Sequence, residues 1–198
     1  MEMKPGKEED ERVFKIGIAI PCHVNDKKLL PVCLQAVENL NPPPHTYLVD
    51  LNKGEGGLRG IRTRLFDKLF ETCDVILQCD VDFYLFPDIL SHVRKRKVTT
   101  FCHLTRNFVD VFKVIARFLS RNPWAGCYSL PKAVWQKIKV SYKWDGTDTS
   151  VQKIVGDYVF VYTPKYYLLR RSPHRIQVAL SDKSLFNRIK DLLLRGIL

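Results

Sequence analysis

The amino-acid sequence predicts an α/β fold in which a largely parallel sheet is layered with helices. Three observations predict it. Short apolar runs rich in β-branched residues alternate with segments whose apolar residues recur at helical spacing. The first three runs give way to polar residues, just after Ile20, Val49 and Cys79. Finally, 198 residues with 45% hydrophobic and 27% charged side chains suit one ordinary domain with its own core.

The elements follow in order. After a charged tail over 1–12, Val13 to Ile20 reads as a buried strand that Pro21 ends. Asp26 can cap a helix running to about Leu40, with Leu29, Leu30, Cys33, Leu34 and Val37 at helical spacing. Asn41 followed by three prolines stops it. Thr46 to Val49 is a second strand ending at Asp50. A glycine-rich loop from Lys53 to Gly57 leads to a helix with Leu58, Ile61, Leu65, Phe66 and Leu69 on one side. Asp74 to Cys79 is a third strand, Pro87 opens another helix, and Val98 to Cys102 is a fourth strand. Beyond it the pattern predicts a helix over 107–121, a strand over 124–129 and a helix from Pro131. A helix then opens within 144–156, a strand covers 158–162, and a basic amphipathic helix covers 185–194. Strand–helix–strand connections of this kind place ligands at the carboxyl ends of the strands.

Composition narrows the classes. Wholesale disorder is excluded, and no apolar run reaches the roughly 18 residues of a membrane-spanning helix. The first residues are too charged for a secretory signal, so a cytoplasmic protein is expected. The six cysteines form no C-x-x-C pair and no zinc spacing with histidine, and most lie in apolar runs, where core packing is expected. With 32 Lys and Arg against 21 Asp and Glu, the net charge is +11. The excess is concentrated in two stretches, 94–121 and 164–198. They suit an anionic partner, whether nucleic acid, a phospholipid surface or a phosphate-bearing substrate, or else a solvated cationic face. The final helix could lie on an anionic membrane, a peripheral contact, or pack on the sheet.

The sharpest chemical feature is Asp80-Val-Asp82 after the third apolar run. On an extended segment residues i and i+2 face one side, so both carboxylates would point together. Mg²⁺ or Mn²⁺ takes one or two carboxylates and completes its shell with water and phosphate oxygens. The pair could instead terminate the strand or cap the helix at Pro87. Asp50 can accept from a base or ribose, or sit in a turn. The glycine loop before Arg59, Arg62 and Arg64 opens a helix whose N-terminus suits a diphosphate, although neither a P-loop nor G-x-G-x-x-G is present. Trp144 to Ser150 sets Asp145 and Asp148 at a helix start, where either could be a general base, or where Thr147 or Asp145 could be the N-cap.

Taken together, Ile18-Ala-Ile-Pro-Cys-His23, Leu48-Val-Asp50, Gly57 with Arg62, Leu77-Gln-Cys-Asp-Val-Asp82 with Pro87, Gly126 to Lys132, and Gly146-Thr-Asp148 resemble the GT-A fold nucleotide-sugar glycosyltransferases, most closely family 2 in a compact form. The resemblance covers about residues 13–165. It implies a GT-A (Rossmann-like) three-layer α/β/α fold with a mostly parallel central sheet. The nucleotide-binding half would be 13–102, the acceptor half 103–165, and 166–198 a basic extension. The implied activity is metal-dependent, inverting transfer of a sugar from a nucleoside-diphosphate sugar to a hydroxyl of a glycan, protein or lipid-linked acceptor. Pro21 and His23 would line the base pocket, Asp50 would contact base or ribose, and Arg62 would lie beside the diphosphate. Asp80 and Asp82 would hold Mn²⁺ or Mg²⁺, Asp82 most directly, with His174 a further metal or phosphate contact. Asp148, or Asp145, would deprotonate the acceptor, and Trp144 would stack on a sugar. The rivals are a sugar-phosphate nucleotidyltransferase and a nucleic-acid-binding α/β protein.

Overall fold

The computed structural model describes residues 14–104 and 126–168. The tail 1–12, the helix expected over 107–121, His174, the helix expected over 185–194 and most of both basic stretches lie outside the described residues.

The first apolar run forms β1 (Ile16–His23), which pairs in parallel with β2 (Thr46–Asn52) on one side and with β3 (Val75–Gln78) on the other. Both faces of β1 and β3 are covered, which is why they read as unbroken apolar runs, whereas β2, at the sheet edge, leaves Tyr47 and Leu51 exposed. Ile18, Ile20, Val75 and Leu77 point to one core with Cys33, Ala36 and Val37 of α1 (Leu30–Glu38). Ala19 and Ile76 point to the other. There they meet Ile61, Leu65, Phe66 and Leu69 of α2 (Gly57–Leu69), with Trp135 and Ile138 of α3 (Lys132–Lys139) and Val151 of α4 (Asp148–Val155). Each fully buried aliphatic or aromatic side chain contributes about 1.5–3 kcal/mol. The result is the expected α/β/α layering.

The sheet is mixed. Its order is β2-β1-β3-β6-β5-β7-β4, with β4 Phe83–Leu85, β5 Val98–Leu104, β6 Tyr128–Pro131 and β7 Tyr158–Leu168. The parallel arrangement holds in β2-β1-β3 and again between β5 and β7, whereas β6 and β4 run antiparallel to their neighbours. The three adjacent parallel strands are the part that positions the site.

Several boundaries differ from expectation for local reasons. Pro21 does not end β1. Pairing with β3 reaches only to Ala19, so no ladder bond is asked of the missing Pro21 N–H, and β2 continues beside it. Asp26 does not cap a long helix. His23 caps a 3-10 turn over Val24–Leu29 by accepting from the Asn25 N–H, and α1 starts only at Leu30, where Pro31 needs no amide partner. After Pro87 there is only a short 3-10 helix, Ile89–His92, preceded by β4, a strand the pattern did not reveal. Trp144 is core rather than a sugar platform. It is 1% exposed, packs edge-on to Trp135 at 5.6 Å, and donates its indole N–H to Thr63 Oγ1. The cysteines described are free thiols, five of them buried. Among the described residues no helix is long and apolar enough to cross a membrane.

Candidate functional site

A cleft of about 390 Å³ opens at the carboxyl ends of β1, β2 and β3, where the parallel topology places it. Pro21 and His23 enter it from β1, and Asp26 from the following 3-10 turn. Asn52 at the end of β2 and Lys53 and Gly54 of the following loop line it, the start of α2 contributes Gly57 and Leu58, and Asp80, Val81 and Asp82 close it from the end of β3.

The glycine loop is stapled by its own residues. Asn52 donates from Nδ2 to the carbonyls of Cys22 and Asp50, at 3.3 and 3.0 Å, while its Oδ1 accepts from the Gly54 N–H at 2.9 Å. Gly56 then adopts a left-handed conformation (φ 77°) and α2 begins with no side-chain cap. The α2 N-terminus therefore faces the cleft with its positive dipole end, and Lys53 is exposed beside it.

The opposite wall is acidic. Asp80-Val-Asp82 is a turn, not an extended strand end, and it is closed by the Phe83 N–H donating to Asp80 O at 3.0 Å. The alternation expected of a strand is therefore not what brings the two acids to one cleft; the turn does. Asp80 is 7% exposed, and its Oδ1 accepts from Gln78 Nε2 at 2.7 Å and Arg62 Nη2 at 3.3 Å. Asp82 is 2% exposed. Burial, with the charge of Asp26 adding to it, pushes its carboxyl up to about 7.

Arg62 is the hub beneath this wall. It is 3% exposed, and besides Asp80 it reaches Asp148 Oδ1 and Gly146 O from Nη1, each at 2.7 Å. Burial opposes its charge, but Asp148 foremost, together with Tyr128 and Asp145, outweighs that and the guanidinium is held above its ordinary value. Arg62 thus joins the acids after β3 to those opening α4. Gly146 (φ 91°) makes the join possible, because an added methyl there would sit 2.3 Å from Arg59 N. Asp145 serves its own turn: its Oδ1 accepts from Thr147 Oγ1 at 2.6 Å and Thr147 N at 2.8 Å, and the Thr147 hydroxyl foremost holds the carboxyl below its usual range.

The cleft thus gathers Pro21, His23, Asp80 and Asp82. Arg62 and Asp148 adjoin it through buried ion pairs. Asp50 stands at the end of β2, level with Pro21, and pairs with Arg64 at 3.2 Å. Sequence reasoning missed Asp26, Asn52, Lys53 and Gln78. Gln78, a lone polar residue in an apolar strand, was the one legible signal.

No protein-family model matches the sequence, and no curated protein matches it. Solved structures resemble the chain only distantly. One is a glycosyltransferase involved in glycosylation of the major capsid of PBCV-1, with 14% identity, TM-score 0.47, and 81% of this chain and 97% of that chain covered. Another is the galactosyltransferase LgtC in complex with donor and acceptor sugar analogues, with 16% identity, TM-score 0.45 and 73% of each chain covered. A third is glucosyl-3-phosphoglycerate synthase from Mycobacterium tuberculosis with Mn²⁺ and UDP-glucose, with 10% identity, TM-score 0.48, and 83% and 74% covered.

Proposed function

We propose that the chain is a glycosyltransferase that moves a sugar from a nucleoside-diphosphate sugar to an acceptor hydroxyl, on a glycan, a protein or a lipid-linked acceptor, with inversion at the anomeric carbon. One observation carries this reading: a single cleft at the ends of three parallel strands has a helix N-terminus with Lys53 on one wall and a buried acid pair on the other. A diphosphate suits the first wall and a divalent cation the second. The reading agrees in class with the three solved enzymes, whose likeness is too distant to carry it.

Mn²⁺ or Mg²⁺ fits the residues present. Among the described residues no three His, Cys, Asp or Glu side chains gather as a complete ligand set. A hard cation of this kind needs only one or two carboxylates, the rest coming from water and phosphate. Asp82, deeply buried yet lining the cleft, would hold it, with Asp80 adjacent. When bound, the cation supplies positive charge where negative charge develops on the leaving diphosphate.

The residues of the chain supply the rest. Pro21 and His23 line the side where β1 ends, and Asp50, level with Pro21 in the strand register, would contact the base or ribose. The positive end of the α2 dipole and Lys53 orient the diphosphate. The acceptor oxygen bonds to the anomeric carbon as the bond to the diphosphate breaks, and the proton of that hydroxyl passes to Asp148. Arg62 holds Asp148 at the start of α4 and holds Asp80 at the acid wall, so one buried guanidinium keeps the two ends of the reaction path in register. The engagement of Asp145 with its own turn supports Asp148 as the base.

Thermal unfolding with a panel of nucleoside diphosphates and their sugars, each with and without Mn²⁺, tests the reading. One base should raise the Tm, more so with Mn²⁺, and its sugar conjugate should release the diphosphate when acceptor is added. A panel in which no nucleotide shifts the Tm under either condition would overturn it.

A further inference from the structure

We propose that Asp26 is a cation ligand: with Asp82 it forms a two-carboxylate site for a divalent metal in the cleft, and Asp80 supports that site from behind. The inference rests on the sugar-nucleotide reading only in placing the cation where the diphosphate would meet it.

Asp26 is 6% exposed and lines the same cleft as Asp82, although 56 positions separate them in the chain, from 26 to 82. Its Oδ1 is buried and has no hydrogen-bond partner among the described residues. A buried carboxylate oxygen without a donor is costly, and a fold keeps one only where something else meets it. Asp82 is a second carboxylate buried at the same hollow. A divalent cation between two such carboxylates relieves both burdens at once. Asp80 differs, because its Oδ1 already accepts from Gln78 and Arg62. Its charge is spent on Arg62, which suits a partner that braces the site rather than a ligand. The 3-10 turn carrying Asp26 is held by the His23 ring, whose Nδ1 accepts from the Asn25 N–H at 3.2 Å. Asp26 therefore sits on an anchored turn.

The test uses the full chain and Mn²⁺ alone, without nucleotide, followed by calorimetry and by the electron paramagnetic resonance of free Mn²⁺. Asp26→Asn and Asp82→Asn should each weaken Mn²⁺ by about a hundred-fold or more, and Asp80→Asn by about ten-fold, as for loss of an outer-shell partner. Asp26→Asn binding Mn²⁺ as the wild type does would overturn the proposal. So would a variant that keeps Mn²⁺ affinity but loses nucleotide binding in metal-free buffer, since that assigns Asp26 to the nucleotide. A second measurement needs no variant. Mn²⁺ should broaden the backbone amide signals of residues 24–27 and 81–83 of the wild type together, and broadening that spares 24–27 overturns the site. Should Mn²⁺ fail to bind while a nucleoside diphosphate still raises the Tm, this proposal falls and the transferase reading stands.

Discussion

Arg62 Nη1 lies 2.7 Å from Asp148 Oδ1, joining α2 to the first turn of α4 across 86 positions of sequence, and the same guanidinium reaches Asp80. A guanidinium 3% exposed between two carboxylates is an all-or-nothing arrangement. Its fork spans both acids, which the point charge of a lysine cannot do.

Removing it should therefore be severe. Arg62→Met leaves two acids facing each other without their shared cation and should cost about 3–5 kcal/mol in urea unfolding. Arg62→Lys should recover only part of that. A double-mutant cycle with Asp148→Asn should give a coupling of about 0.5–3 kcal/mol. Additive effects would show that the pair is incidental.

Gly146 tests the closeness of the same junction. Gly146→Ala places a methyl 2.3 Å from Arg59 N and 2.5 Å from Arg59 Cα at φ 91°, so backbone must move. Loss of both stability and transferase turnover is expected. Gly156→Ala is the control: its φ is 70°, but nothing lies within 4 Å of the added methyl, so it should cost only the backbone strain, about 1–3 kcal/mol. Equal losses in the two variants would contradict the packing argument.

Asp82 should trade stability against function. Its folded carboxyl is raised to about 7, above its unfolded value, so the folded state binds the proton more tightly. In metal-free buffer, stability should then be greatest below about pH 4 as far as this group is concerned, and decline as pH rises towards 7. Asp82→Asn should remove that decline and be the more stable protein at pH 8, while losing cation-dependent donor turnover. Urea midpoints across this range, with and without chelator, read the first effect. A wild type whose stability is indifferent to pH between 4 and 7 in a comparison with Asp82→Asn would refute it.

Asp88 carries the opposite sign. Lys165 Nζ, on a residue 7% exposed, sits 2.5 Å from Asp88 Oδ2 and holds that carboxyl below its usual range. The pair ties the turn after β4 to β7. Its contribution is present above the ordinary aspartate range, near pH 4, and is lost as pH falls through the depressed folded value. Because Asp88 is 55% exposed, the effect should be small, about 0.2–1 kcal/mol. Lys165→Met should flatten the acid limb of the urea midpoints by that amount, and an unchanged acid limb would count against the pair.

Much of this molecule was legible in its sequence. Apolar runs from 13 to 20 and 74 to 79 announced buried parallel strands, because a strand covered on both faces needs apolar residues at every position, and the run from 46 to 49 announced the half-exposed edge strand beside them. Their polar ends announced the cleft, and Pro21, His23, Asp80 and Asp82 do line it. Trp144 and Asp26 were misplaced for a common reason. Periodicity reports which residues are apolar or polar, not which long-range partner takes them. Trp144 was claimed by Phe66 and Trp135 in the core, and Asp26 was turned inward by a 3-10 entry to α1 that leaves no cap for it to make. The antiparallel course of β6 and β4, and the meeting of Arg62 with both Asp80 and Asp148, were decided by tertiary structure alone. Local pattern is set by neighbours a few bonds away, whereas strand order and a shared buried guanidinium depend on which distant surfaces exclude water together.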